Sequence, residues 1–269
     1  MPATIFVRFD APAPVPATPR RLHAALGHIF DLPAGVDPDR ARTIASLAHR
    51  PTHDSGKLKP YSIGEMSQIG DMFVMEMRLL DDRLISTLDA WLAWGGVLPI
   101  GDGGPDTVHL AAVDAQITSK VTWEELAATA PAMSWEVDFV TPIVFSSRGS
   151  HLYGVTPAAL ATSLQQRWWS YDSASAPSKP NREEIEALFD WETDLQPVTL
   201  SLAKGRGDTR GRLASRSIEA YEGKMWIDAL EAGAYAQEFS QLMALSRYTN
   251  AGSYTSYGLG VMVARAVEE

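Results

Sequence analysis

Ala3-Thr-Ile-Phe-Val-Arg-Phe9 and Thr18-Pro-Arg-Arg-Leu-His-Ala-Ala-Leu-Gly-His-Ile29 decide the fold, because the same pairing returns in the second half of the chain. In the first run Ile5, Val7 and Phe9 alternate with Thr4, Phe6 and Arg8, the period-two pattern of a half-buried strand. In the second, Thr18 stands as the N-cap with Pro19 at the first helical position, and Leu22, Ala25, Leu26 and Ile29 share one face. Pro12, Pro14 and Pro16 make an extended connector between the two. In the second half, Trp135 to Phe145 reads as a strand, and Thr156-Pro157 opens a helix running to Trp169.

Each pair is followed by the same series. A short helix near Asp37-Pro38 is expected to bury Ile44 and Leu47 and to stop at Pro51. Strands are expected at about 59–64 and 71–80, a helix over 82–94, a turn at Gly101–Pro105 and a strand at about 107–119. The second half gives a loop over 170–181, a helix from Arg182 to Trp191, and strands at 196–203 and about 215–230. A helix from Gln237 to Tyr248 and a closing strand from Leu259 to Ala266 complete it. Each half is β-α-β-β-α-β. The expected fold class is α+β, two tandem ferredoxin-like (RRM-like) domains, residues 1–132 and 133–269, divided near Ala132.

The 269 residues are 45% hydrophobic and 21% charged, an ordinary globular balance, and no apolar run approaches the ~20 residues of a membrane span. The start reads as a strand and not as a signal peptide, so the cytoplasm is the expected compartment and no membrane is a partner. The absence of cysteine excludes a disulfide, a thiolate zinc site and a cysteine nucleophile. A net charge of −10 argues mildly against nucleic acid, but the charge is uneven. Residues 1–62 carry eight Lys/Arg against five Asp/Glu, whereas residues 63–269 carry fifteen against twenty-eight. Within that acidic remainder Lys204, Arg206, Arg210, Arg212 and Arg216 face a single Asp208, a local footprint suited to a phosphate backbone.

Three groups of residues offer chemistry. Ala251-Gly-Ser-Tyr-Thr-Ser-Tyr-Gly-Leu-Gly260 follows a helix. Its backbone N–H groups, with the Ser253, Thr255 and Tyr257 hydroxyls, suit phosphate oxygens; the plain reading is a helix cap and tight turn into an edge strand. His23, His28, His49 and His53 cluster early. His49-x-x-x-His53 has a metal-ligand spacing, but Pro51 interrupts the helix that would align the rings, and no metal or cofactor is expected. His23 and His28 lie roughly 140° apart around their helix and flank its apolar stripe. His28 shares the exposed side with Arg21, and an imidazole beside cations can move protons at a phosphodiester near neutral pH.

Together these segments resemble the CRISPR repeat-processing endoribonucleases, the Cas six family of the repeat-associated mysterious protein (RAMP) superfamily. The resemblance rests on Phe139-Val-Thr-Pro-Ile-Val-Phe145, Leu164-Gln-Gln-Arg-Trp168, Ile218-Glu-Ala-Tyr-Glu-Gly-Lys-Met-Trp-Ile227 and the stretch from Leu242 to Gly260, with Thr255, Gly258 and Gly260 in place. In the first half it rests on Ile44-Ala-Ser-Leu-Ala-His49 and Lys59-Pro-Tyr-Ser-Ile63. It implies metal-independent cleavage of precursor CRISPR RNA at a repeat hairpin, leaving a 2′,3′-cyclic phosphate. The partners would be repeat RNA, precursor and mature, with other Cas effector subunits as a further class.

By the same resemblance the catalytic set would be His28, one of His49 and His53, and Lys59 as charge stabiliser, with His23 matching an alternative register. RNA contacts would fall to Arg20, Arg21, the basic segment, and Gly252, Ser253, Tyr254, Thr255, Tyr257, Gly258 and Gly260. A catalytically silent RNA-binding subunit of the same fold and a ferredoxin-like domain for a protein or small ligand are the alternatives.

Because each lost phosphate contact lowers the log–log salt slope by about 0.7–0.9, Arg206→Ala with Arg210→Ala is expected to weaken repeat-hairpin binding and flatten its salt dependence. Filter binding across a salt series checks this, and an unchanged slope would make the segment a solvated loop.

Overall fold

The computed structural model describes residues 1–45, 47–53, 58–147, 150–151, 154–201 and 217–267. Lys204, Arg206, Arg210, Arg212 and Arg216, expected to bind RNA, lie outside the described residues.

The first half runs β1 (Ala3–Asp10), α1 (Pro19–Phe30), α2 (Pro38–Ala41), β2 (Tyr61–Ile69), β3 (Met72–Leu79), α3 (Ile85–Ala93), β4 (Val97–Ile100) and β5 (Val108–Lys120). Its sheet has the order β2-β3-β1-β5-β4, antiparallel throughout. The alternation read from the sequence places Ile5, Val7 and Phe9 in the core with Leu22, Leu26 and Ile29 of α1. In the second half α4 (Trp123–Ala127) precedes β6 (Ser134–Ile143), the two-residue strands β7 (Ser146–Ser147) and β8 (Ser150–His151), and α5 (Pro157–Tyr171). Then come α6 (Arg182–Leu188), β9 (Phe189–Ser201), β10 (Ser217–Ala229), α7 (Ala234–Leu245) and β11 (Met262–Val267). This sheet has the order β11-β6-β10-β9 and packs its core around Trp135, Val137, Leu164, Trp168 and Phe239. The protein is α+β with two tandem ferredoxin-like domains, the first extended by β4. Among the described residues no helix is long and apolar enough to cross a membrane.

Several local expectations are corrected. The helix near Asp37 closes after Ala41, and Ile44 is exposed instead of buried, because turns replace the helix that would have aligned it with Leu47. The helix expected to reach Trp191 ends at Leu188. Trp191 belongs to β9 and pairs with Ile227, so the ladder outweighs local helix propensity. α7 starts and ends three residues early, and Leu259 and Gly260 precede the closing strand. β4 escaped notice as four residues after Gly95-Gly96, with Pro99 tolerated at a sheet edge. α4 carries a capping box, Thr122 with Glu125, that is legible as Thr-x-x-Glu. Its Trp123 and Leu126 pack in the second core, and the expected division near Ala132 falls between α4 and β6.

The stretch leaving α7 docks on the first domain. Thr4 Oγ1 donates to the Arg247 carbonyl at 3.1 Å, and Arg78, paired with Glu76 in a buried bridge, donates to the Ser246 carbonyl at 3.1 Å. Asn250 Nδ2 donates to the carbonyls of Ile63 at 2.7 Å and Leu259 at 3.0 Å. This docking carries the glycine-rich segment to α1.

Gly260 closes the segment with φ +71°, and a Cβ there would stand 1.9 Å from the Ala251 carbonyl oxygen. That oxygen is backbone and has no rotamer to escape into. Gly260→Ala is therefore expected to destabilise the protein by about 2–4 kcal/mol, combining strain with a steric clash. A urea midpoint within error of the parent protein would contradict this.

Candidate functional site

The site is built on the end of α1. The Asp31 N–H closes the last turn on Gly27, and the Asp31 side chain is 2% exposed. A carboxylate at a helix C-terminus meets the negative end of the helix dipole, so its burial there requires donors and cations. They are present. Lys59 Nζ lies 2.9 Å from Oδ1, the Tyr61 hydroxyl donates to the same oxygen at 2.6 Å, and His53 Nδ1 lies 2.8 Å from Oδ2. Burial, reinforced by Asp31, pushes the Tyr61 hydroxyl far above its usual range, so it remains a donor. Arg50 completes the helix end by donating to the Ile29 carbonyl at 2.8 Å, one of the carbonyls left unpaired by the last turn.

Gly27 makes room for this arrangement. A Cβ at that position would lie 3.1 Å from both Asp31 Oδ2 and His53 Nδ1. The mid-helix glycine, which costs about 1 kcal/mol relative to Ala, thus lets the 50–53 segment press against the helix.

His53, half exposed, stacks on His23 with ring centroids 5.4 Å apart, and His23 stacks on Tyr257 at 4.1 Å with the planes 10° apart. Burial, then the neighbouring His53, pulls the His23 pKa down to about 4, against the opposing pull of Asp31, and Lys59 lowers it further. His23 is therefore neutral at pH 7, and its Nδ1 is buried without a hydrogen-bond partner. The stack joins the end of α1 to a single 3-10 turn, Thr255–Tyr257, of the second domain.

The glycine-rich segment is held from below by α5. Ser163 Oγ accepts the Gly252 N–H and Arg167 Nη2 donates to the Gly252 carbonyl, both at 2.8 Å. Arg167 is fully buried, and desolvation lowers its guanidinium to about 10. This is the structural use of Leu164-Gln-Gln-Arg-Trp168.

The expectation of a loop of free N–H donors is corrected. Gly252, Ser253, Gly258 and Gly260 N–H groups bond to Ser163, Val144, Thr255 and Pro142, and Thr255, Gly258 and Gly260 are buried. Gly252, Ser253, Tyr254 and Tyr257 remain partly accessible. The segment is a turn into the edge strand β11, as its plainer reading held.

Of the sequence-derived catalytic candidates, His23, His53 and Lys59 come together. His28 is exposed on α1 away from the stack, and His49 is exposed on the turn before Pro51, outside the Asp31 group. Lys59 is 10% exposed and bonded to Asp31 and to the Thr52 carbonyl, so its charge faces the carboxylate and not an open cleft. Arg21 pairs with Asp102 at 3.0 Å, and Arg20 lies close enough to Tyr257 to act on its hydroxyl. Asp31, Tyr61 and Arg50 were missed. The available signal was a carboxylate between Phe30 and Leu32 at a helix end. Among the described residues no three His, Asp or Glu converge as a metal-holding group.

The chain is thus a tandem of ferredoxin-like domains with a carboxylate-held imidazole stack at their junction. Residues 137–262 match the family described as CRISPR-associated endoribonuclease Cas6. In fold, the chain is similar to Thermus thermophilus Cas6, at 18% identity over 98% of both chains with a TM-score of 0.64. It is also similar to a Cas6 product complex, at 18% identity over 98% of this chain and 99% of that one, TM-score 0.67. A Cas6-related protein from Pyrococcus furiosus aligns over the whole of both chains at 12% identity, TM-score 0.54. No curated protein sequence matches the chain. The family match thus covers residues 137–262, and the likeness to these solved structures, a likeness of fold, extends over the whole chain.

The depressed His23 pKa sets a stability prediction. The unfolded chain, with its histidine near 6.5, takes up a proton before the folded state does, so stability is fully present above about pH 6.5 and is lost as pH falls toward 4. His23→Phe, which keeps the stack without the titration, should flatten the decline in urea midpoint between pH 6.5 and 4. An unchanged slope would show that His23 is not the titrating group.

Proposed function

We propose that the protein is a metal-independent endoribonuclease that cuts precursor CRISPR RNA within its repeats and stays bound to the repeat hairpin. The observation that carries this reading is the His53–Asp31 pair, joined through the His23 ring to the 3-10 turn of the family-matched region. With Nδ1–H given to Asp31, His53 keeps its Nε2 lone pair for a substrate proton.

In this mechanism His53 takes the proton of the 2′-hydroxyl next to the cut. O2′ forms a bond to phosphorus, the P–O5′ bond breaks, the leaving oxygen takes up a proton from water, and the His53 imidazolium returns its proton to solvent. The products are a 2′,3′-cyclic phosphate and a 5′-hydroxyl. Asp31 stabilises the imidazolium that forms on His53, and Lys59 acts through Asp31 as a positioning residue. Neutral His23 holds His53 in place by stacking. His28 and His49 stand outside this set. RNA would be held by the accessible part of the 252–257 segment, by Arg20, and by the Lys204–Arg216 segment.

Removing a general base costs about 10²–10⁴ in rate. His53→Ala should therefore cut repeat RNA that much more slowly in single turnover while retaining affinity, and His28→Ala should cut at the parent rate. EDTA should have no effect, and a 2′-deoxy substitution at the cut should abolish cleavage. Cleavage of the deoxy RNA would sink the mechanism; repeat binding without any cleavage would leave the silent-subunit reading.

A further inference from the structure

A cavity of about 310 Å³ is lined by α2, by residues 47–52, by Leu58 and Pro60, and by Tyr171 of α5. We propose that it receives one nucleobase of the bound RNA, extruded next to the phosphate at His53; this rests on the endoribonuclease reading.

The cavity and the Asp31 group share a wall. Thr52 lines the cavity, precedes His53, and accepts the Lys59 ammonium on its carbonyl at 2.7 Å. Leu58 and Pro60, on either side of Lys59, also line it. Opposite stands Tyr171 at the end of α5, whose hydroxyl donates to the Leu58 carbonyl at 2.6 Å, so both domains form the enclosure. A nucleotide beside the phosphate at His53 is within one residue's reach of this space.

The lining suits a base. Leu32 and Leu47 give apolar surface, Tyr171 and His49 give flat rings, and Arg42, largely exposed and in a solvent-facing pair with Asp39 at 3.3 Å, is a guanidinium that an adjoining phosphate could draw away from that pair. RNA-binding proteins read splayed-out bases by this combination of stacking faces and guanidinium groups. The size is at the lower end of small-molecule pockets, enough for one ring system and its sugar edge and too small for a folded partner. The one lining carboxylate, Asp81, is bonded to the Arg83 guanidinium at 2.7 Å through each oxygen, so its charge is neutralised within the protein. His49, outside the proton-transfer group, thereby acquires a binding role.

The test uses the full chain and repeat RNA made uncleavable by a 2′-deoxy at the cut, with one abasic site placed in turn at each of the three nucleotides on either side. Base stacking on a protein ring is commonly worth about tenfold or more in affinity. One abasic position should therefore bind roughly tenfold more weakly than intact RNA. His49→Ala, a change at an exposed side chain that leaves the fold intact, should weaken intact RNA and leave that abasic RNA unaffected, the non-additivity of groups in contact. Ala48→Trp, which fills the cavity, should do the same more completely. Equal affinity for intact and every abasic RNA, or additive losses in His49→Ala, overturns the proposal. Normal abasic selectivity with no cleavage of unmodified RNA would overturn the endoribonuclease reading alone, and no RNA binding at all would overturn both.

Discussion

One buried carboxylate organises the functional end of this molecule. Asp31 sits where the α1 dipole disfavours it and where water cannot reach it, so its stability depends on the groups around it. Lys59 supplies the neutralising charge, Tyr61 a second donor to the same oxygen, and His53 occupies the other oxygen. Each partner comes from chain beyond α1, and Tyr61 also packs its ring on Phe30, so polar and apolar contacts hold these residues at the helix end together. Arg50 adds to this by capping α1 carbonyls. A half-exposed imidazole on a buried anion is thereby fixed in orientation and tautomer without losing access.

The second domain completes the arrangement from the opposite side. Ser246, Arg247 and Asn250 are hydrogen-bonded to the first domain, and the chain then turns through the glycine-rich segment to bring Tyr257 onto His23. The glycines serve this path: their N–H groups are engaged within the protein, and Ser163 and Arg167 clamp Gly252 from α5. Motifs that look separate in the sequence, Leu164-Gln-Gln-Arg-Trp168 and Ala251 to Gly260, are two halves of one support.

Charge follows the same division. The chain is acidic overall, yet its N-terminal quarter is basic, and the Asp31 group, Arg20, Arg42 and Arg50 all belong to that quarter. An uneven distribution of this kind acts locally, since screening confines charge effects to about 8–10 Å.

The fold was legible because it is written in periodicity. The alternation of residues 3–9, the Thr-Pro helix starts at 18 and 156, and the return of β-α-β-β-α-β determine two ferredoxin-like domains without reference to any contact. Short elements such as β4 and α4 were lost, because four or five residues hold too few periods to register. The sequence also supplied the four histidines and Lys59 as candidates, but His49 and His53 were equal by spacing and helix register. Only the tertiary structure shows that they are placed differently, His53 on Asp31, 22 positions earlier in the chain, and His49 on the turn before Pro51. Tyr61 carries no local signature, and Asp31 only that of a carboxylate set between apolar residues at a helix end. Their roles arise from burial and from partners brought together by long-range packing, which no local pattern of residues encodes.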